Sequence, residues 1–420
     1  MNSVDILVKI RKQLRMTSTQ LSEKLGYHRT YWGKIECGDR PLASKTIRRL
    51  KDLLKVSLLI LTTEDEKQFR HELEKWKAII MRNDAIEAVA MQAQLGRTLE
   101  ITPSDELKRL YDIYSIGCFR IKNDIDALDA QLSMLREFVD DFNDEESYWY
   151  HRQAAIRAHN LHDYPFAIDA FLKAEHLGDS LGFNEEGFYY NMGHCITSMG
   201  YANRAIRCFE KALRKADEHH SHAFDVYIKN LMCENYILVG RASDALPILN
   251  DCLHIIQQEK NSQVTIGLIY RRIAMAHCAL GNAEMAIAII NKSFNYFDSE
   301  RLSYIENLYY KALIYLINKK KRDAINILNE GIALAKSSSI IVIMLNTLKN
   351  SLSLKNDASR EYIETVALPQ LEKHCRNLPL IDCYARLGEH YKQYDKEKSS
   401  MYFEKAYALS EKLRKGDLSK

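Results

Sequence analysis

The sequence predicts an all-α protein, built as a small helical head followed by a long solenoid of helical hairpins. Three observations lead there. Only 6 prolines and 16 glycines occur among the 420 residues, too few turn formers for an all-β or α/β chain of this length. Apolar residues return at three- and four-residue intervals, the spacing of one helix face. Behind the head, an alanine recurs where each second helix of a hairpin begins: Ala85, Ala127, Ala167, Ala205, Ala245, Ala286, Ala324 and Ala358, with Ser399 in the last unit. These positions lie 42, 40, 38, 40, 41, 38, 34 and 41 residues apart.

In the head, Val4, Leu7, Ile10 and Leu14 mark a first amphipathic helix. Thr17 is the expected N-cap of a short second helix that faces inward through Leu21 and Leu25 and stops at Gly26. A third helix, from His28 to Cys37, turns Tyr31 or Trp32 and Ile35 inward and ends at Gly38-Asp39-Arg40-Pro41. Ser44 is the expected cap of a fourth helix carrying Ile47, Leu50, Leu53 and Leu54. Charge is distributed to match. Residues 1–60 hold 13 Lys and Arg against 5 Asp and Glu, a net of +8, while the remaining 360 carry a net of −5. A basic module on an otherwise mildly acidic chain suits a polyanion, because displaced counterions drive the binding.

Two short helices joined by a glycine turn and flanked by two more form the arrangement that presents a helix to the major groove. The stretch RKQLRMTSTQLSEKLGYHRTYWGKIECGDR resembles the lambda-repressor-like, or Xre-type, helix-turn-helix family over about residues 4–58. The resemblance implies that Arg11 pairs with Glu36 as a structural brace. It also implies DNA contacts at Ser18, His28, Arg29, Thr30, Lys34 and Arg40, with double-stranded operator DNA as the partner. Arginine can engage guanine O6 and N7 bidentately, which makes Arg29 the leading base reader. Ser18 departs from the family, which usually has glutamine there; a hydroxyl can still meet a phosphate. Gly33 is a weak helix former in the recognition helix, and it either permits close approach of backbone to DNA or is neutral.

The repeat is clearest in FYYNMGHCITSMGYANRAIRCFEKALRKA, where Tyr189, Met192, Gly193, Gly200, Ala205, Phe209 and Ala212 stand at the spacing of the tetratricopeptide signature. Most units exceed the 34-residue standard, so their helices should be about one turn longer. The first, second and eighth units are degenerate. The expected organisation is a DNA-binding domain at 1–60, a linker at 61–70, and a right-handed solenoid of eight or nine hairpins at 71–420 for ligand binding and oligomerisation. Such a stack has a concave wall. First-helix positions place Trp149, Arg152, Tyr190, Asn191, His194, Tyr227, Asn230, Glu234, Arg271, Arg272 and Tyr309 on or near it. Amides such as Asn191 and Asn230 can hold the backbone of an extended peptide.

Head and solenoid together resemble the RRNPP family of quorum-sensing receptors. The resemblance implies a cytoplasmic homodimer or homotetramer in which a short signalling peptide in the groove alters operator binding. Two alternatives stand beside it: a solenoid that binds a protein partner, and a bifunctional regulator that also sequesters or dephosphorylates a response regulator. Gln92 and Gln94 are the residues that could position a water for the latter, although no Gly-rich phosphate loop, G-x-S-x-G or H-E-x-x-H occurs, and the expectation is a non-enzyme without cofactors. No apolar run approaches the ~18 residues of a membrane span, and no signal peptide is evident at the start. Nine scattered cysteines without a C-x-x-C pair read as small buried hydrophobes. His219-His220-Ser221-His222 reads as an exposed loop rather than a metal site.

Overall fold

The computed structural model describes residues 3–55, 63–82, 84–101, 104–218, 225–258, 263–298, 302–335 and 340–416. Among them every regular element is helical. The chain divides into two compact units, Met1–Ala154 and Ala155–Lys420.

The first unit opens with α1 (Ser3–Gln13), α2 (Ser18–Lys24), α3 (Arg29–Glu36) and α4 (Ser44–Leu54). Thr17 and Gln20 close a reciprocal capping box at the start of α2: Gln20 N donates to Thr17 Oγ1 at 3.2 Å and Thr17 N donates to Gln20 Oε1 at 2.8 Å. Gly26 takes the left-handed backbone, φ +70°, that ends α2, and Arg49 donates to the carbonyls of Leu25 and Gly26 across the turn. Leu7, Ile10, Leu21, Leu25, Trp32, Ile35 and Leu50 form one buried core. Trp32 rather than Tyr31 is the fully buried ring of α3. Arg11 Nε meets Glu36 Oε1 at 2.9 Å, the expected brace, and Arg11 also donates to Met16 O at 3.2 Å. Two local expectations change. Ala43, not Ser44, occupies the cap of α4 in extended backbone, so no side chain caps that helix. The side chain of Val4 lies outside the described residues.

Five helices complete this unit: α5 (Thr63–Met81), α6 (Ala85–Ile101), α7 (Asp105–Lys122), α8 (Ile125–Arg136) and α9 (Asp144–Asn160), the unit boundary falling inside α9. The expected linker at 61–70 is therefore largely helix, because Phe69 joins Leu73 and Trp76 on one fully buried face of α5. Trp76 Nε1 donates to Ala88 O at 2.9 Å, and Tyr111 stacks on its ring at 5.2 Å.

The second unit continues with α10 (Tyr164–Leu181), α11 (Glu186–Ser198), α12 (Ala202–Glu218), α13 (Asp225–Leu238), α14 (Ala242–Ile256), α15 (Gln263–Ala279), α16 (Ala283–Ser293), α17 (Leu302–Ile317) and α18 (Lys321–Leu334). It closes with α19 (Ile340–Ser351), α20 (Asp357–Tyr362), α21 (Leu368–Lys373), α22 (Asn377–Tyr391) and α23 (Lys396–Lys415). Consecutive helices pair as hairpins, and the recurring alanine is what lets them touch: Ala167, Ala205, Ala245, Ala286 and Ala324 are all fully buried. Gly193 serves the same end, since a Cβ there would stand 2.7 Å from the Phe209 ring. In the degenerate units the alanine loses that place. Ala85 and Ala127 are only half-buried and Ala358 is exposed, with Ala88 and Leu128 taking the buried positions in the first two. Neighbouring hairpins are pinned by buried polar bonds such as Asn235 Nδ2 to Thr197 Oγ1 and Asn307 Nδ2 to Ser293 Oγ, both 2.8 Å.

The last hairpin of this unit returns to the first ones. Asn377 Nδ2 donates to Met199 O at 2.8 Å, His374 Nδ1 lies 3.3 Å from His162 O, and the Arg376 guanidinium covers the Tyr164 ring at 5.2 Å. Leu378 and Leu413 pack against Gly200. Nothing in the repeat spacing announces this closure.

Seven of the nine cysteines are buried, as expected; Cys37 is exposed at the C-cap of α3 and Cys375 is half-buried. The His219–His222 cluster lies outside the described residues.

Candidate functional site

Two faces carry the candidate residues. The first is α3. Burying Trp32 and Ile35 leaves Arg29, Thr30, Gly33 and Lys34 on the outward side, the stripe that helical spacing demands. Arg29, Thr30 and Lys34 are exposed. His28 is the N-cap: its Nδ1 lies 3.4 Å from Thr30 N and 2.9 Å from Thr30 Oγ1. The imidazole and the threonine hydroxyl thus engage each other, which leaves the threonine methyl and the other ring nitrogen facing out. Arg40 is exposed with its guanidinium 4.5 Å from the Tyr31 ring centroid, and Ser18 is half-buried as the first residue of α2. A Cβ at Gly33 would meet nothing within 4 Å.

The second face is formed in the second unit by α11, α13, α15 and α17. Glu234 on α13 accepts from Arg272 on α15 through Nε at 2.8 Å and Nη2 at 2.6 Å. Burial alone would raise the Glu234 carboxyl, but the charges of Arg272 and Arg271 and the hydrogen bonds from Arg272 outweigh it and hold the group below the usual range. Arg271, next along α15, covers the Tyr310 ring at 4.5 Å and stands 3.7 Å from Glu306 Oε2. Tyr309 is buried against Tyr310, ring centroids 5.8 Å apart. Burial lifts the Tyr310 hydroxyl to about 12 and raises Tyr190 too, with Tyr227 adding to the latter and Arg272 opposing it. His194 lies 6.3 Å from the Tyr190 ring and 4.6 Å from that of His159. Burial drops His194 to about 4, helped by Arg272 and Arg376 and resisted by Glu234. His159 falls to about 3 and His162 to about 4, each mainly by burial, so this patch is kept neutral.

Several expected wall residues therefore share one electrostatic neighbourhood: Tyr190, His194, Tyr227, Glu234, Arg271 and Arg272. The two asparagines part company. Asn191 is half-buried and donates to Gly187 O of its own helix at 2.8 Å, whereas Asn230 is 4% exposed and its Oδ1 has no hydrogen-bond donor among the described residues. Arg152 and Trp149 belong to α9 in the first unit, where the Arg152 guanidinium lies 5.0 Å from the Trp149 ring. Sequence reasoning missed Tyr310, Glu306, His159, His162 and Arg376. Tyr310 sits beside a residue that was chosen and could have been found; Arg376 arrives through the returning hairpin and had no local signal. Gln92 is half-buried and accepts from Cys118 Sγ at 3.3 Å, while Gln94 is exposed. A shallow groove of about 570 Å³ on the last hairpin, lined by Lys392, Lys396, Ser399, Phe403 and Tyr407, contains no orphaned buried polar atom among the described residues.

Compared with known structures, the chain superimposes on NprR in complex with its cognate peptide NprX with a TM-score of 0.71, 18% identity, and coverage of 81% of this chain and 99% of that one. A Rap protein complexed with Competence and Sporulation Factor gives a TM-score of 0.70, 14% identity, and coverage of 84% and 100%. The fold is that of NprR and Rap. Among curated sequences, the transcriptional activator NprA of Geobacillus stearothermophilus is 23% identical over 203 residues, 46% of this chain. The matched segment spans 50% of the length of NprA. No protein-family model matches the chain. The tetratricopeptide-like hairpin stack expected from the alanine spacing is thus the fold shared with NprR and Rap. No described helix is long and apolar enough to cross a membrane.

Proposed function

We propose that this chain is a peptide-responsive transcriptional regulator: α3 binds operator DNA, and the wall formed by α11, α13, α15 and α17 binds a short signalling peptide that alters DNA binding. The observation that carries the reading is the polar wall itself. Arg271, Arg272 and Asn230 are each less than a tenth exposed, yet each retains a polar atom without a hydrogen-bond partner among the described residues. Buried polar groups are ordinarily satisfied, and an extended peptide supplies both the acceptors and the donors they lack. A protein dock would instead offer a wide apolar patch. The names of NprR's cognate peptide and of the activator NprA support the same reading.

The regulator acts in the cytoplasm as a homo-oligomer, because two heads on one duplex read half-sites about 34 Å apart. The peptide shifts DNA binding only by its differential affinity for the two states of the protein. The experiment is selection of binding sites from a random duplex pool with the full chain. A single enriched sequence is expected, bound less tightly as salt rises and with an affinity that changes when short peptides are added. Recovery of nothing beyond random duplex would defeat the DNA half of the reading, and an unchanging affinity across peptide pools the other half.

A further inference from the structure

The head carries a four-layer stack of side chains on one flank of α3. Tyr27, between α2 and α3, and Tyr31, on α3, lie ring on ring with centroids 5.0 Å apart and planes 20° from parallel. A guanidinium closes each end: Arg49 of α4 lies 5.0 Å from the Tyr27 ring centroid, and Arg40, beyond α3, lies 4.5 Å from that of Tyr31. The two ends differ. Arg49 donates to the carbonyls of Leu25 and Gly26, and the Tyr27 hydroxyl meets Thr46 Oγ1 of α4 at 2.8 Å, so this end is tied to α2 and α4. Arg40 is exposed, and its guanidinium makes no hydrogen bond or ion pair with any described residue. Only its backbone is fixed, Arg40 N donating to Lys34 O at 3.1 Å.

Tyr31 and Lys34 are three residues apart on α3 and therefore neighbours on its surface. Lys34 belongs to the outward stripe, so Arg40, seated on Tyr31, flanks that stripe where Arg29 occupies it. Base edges lie in front of a recognition helix, and the sugar-phosphate backbone runs along the borders of its groove. A guanidinium over a ring keeps its N–H groups available in one plane, and a phosphate can take two of them at once. A long side chain already seated on a ring also has less rotamer freedom to lose on binding. We propose that Tyr31 is a positioning residue for DNA: backed by Tyr27 and Arg49, it holds the Arg40 guanidinium ready for a phosphate at the border of the groove that α3 enters. The contact is blind to sequence, in contrast to Arg29. This inference rests on the DNA half of the reading above and assigns roles within that site.

The test titrates the full chain onto a fluorescent duplex of random sequence at several salt concentrations, with thermal unfolding recorded for every variant. Arg40→Ala is expected to weaken binding and to lower the salt slope by about 1, the signature of one lost phosphate contact. Tyr31→Leu should reproduce both changes although it removes no charge. The double variant should bind no more weakly than either single one, and Tyr31→Phe, which keeps the ring, should bind like the wild type. Arg40→Lys, which keeps the charge without the flat guanidinium, should recover only part of the loss and reports on the stack even if Tyr31→Leu unfolds the head. Losses that multiply in the double variant, an unchanged salt slope in folded Tyr31→Leu, or full recovery by Arg40→Lys would each overturn the positioning role while the DNA reading stands. A folded wild-type chain that binds no duplex overturns both.

Discussion

The head and the wall present their candidate side chains under opposite physical regimes. On α3, Arg29 and Lys34 sit in solvent, and the only burial they require is that of Trp32 and Ile35 beneath them. On the wall, Arg271 and Arg272 are withdrawn from water, with Glu306 and Glu234 beside them. An exposed cation contributes to DNA affinity by releasing counterions and by reading base edges, and its loss leaves the fold intact. A buried one is part of the fold, because removing either partner strands the other in a low-dielectric setting. Recognition should therefore separate from stability in the head and be entangled with it in the wall.

Acidification is expected to expose that contrast most strongly. His159, His162 and His194 fall from 6.5 to about 3, 4 and 4 in the folded chain. The unfolded chain takes up these protons first, so the stabilisation is complete above pH 6.5 and declines as pH drops towards 4. At pH 5 the loss is at most about 2 kcal/mol per ring, and less in practice because all three rings are half-buried and partly screened by water. The depressed Glu234 acts in the same direction, losing its stabilising charge as pH falls through its folded value. All three tryptophans, Trp32, Trp76 and Trp149, lie in the first unit. Denaturation at pH 7.5 and pH 5 should accordingly show a larger midpoint shift by circular dichroism than by tryptophan fluorescence, and His194→Gln should reduce the difference.

Glu234→Ala comes next. It leaves Arg272 buried without its partner and is expected to destabilise by about 3 kcal/mol, read from urea midpoints at unchanged slope. The matching change in the head, Glu36→Ala, frees an Arg11 side chain that is 24% exposed and still bonded to Met16 O, so its cost should be clearly smaller. Equal costs for the two would abolish the distinction between the regimes.

How much of this was legible in the sequence follows the same division. Locally coded features were readable: the Thr17 cap, the inward Leu21, Leu25 and Ile35, and the alanines from Ala167 to Ala324, whereas the Arg11–Glu36 brace was implied only by the family resemblance. The wall was readable as a set of helix positions but not as a network. That Arg272 grips Glu234 while Arg271 leans on Tyr310 depends on how neighbouring hairpins pack. Asn191 and Asn230 look equivalent by repeat position, yet only one is buried enough to lack a partner. The closure through Asn377 and Met199 joins residues 178 apart in the chain, and no short-range pattern encodes it. That most of the expected linker at 61–70 is helix had the reverse cause: its charged residues TEDEKQ hid the buried Phe69 on the same helix.

Arg29→Ala tests the head's regime from the binding side. The expected loss on a selected operator is about 1–3 kcal/mol, with affinity for random duplex nearly unchanged and the fold unaffected, as measured by fluorescence anisotropy at fixed salt. An equal loss on random duplex would make Arg29 a phosphate contact rather than a base reader.

The smallest effect belongs to Gly33, and it has two components of opposite sign. A methyl group at this position meets nothing within 4 Å in the free protein, so Gly33→Ala should stabilise α3 by about 0.5–1 kcal/mol through helix propensity alone. Yet Gly33 lies on the outward stripe between Thr30 and Lys34, so the same methyl projects towards any DNA seated on that stripe. The expected result is a more stable head that binds its operator less tightly, by less than Arg29→Ala. Thermal unfolding and operator anisotropy on the same sample separate the two components. A gain in stability with undiminished operator affinity would mean that the DNA passes along a different edge of α3, and that Arg29 and Lys34 reach it from the side.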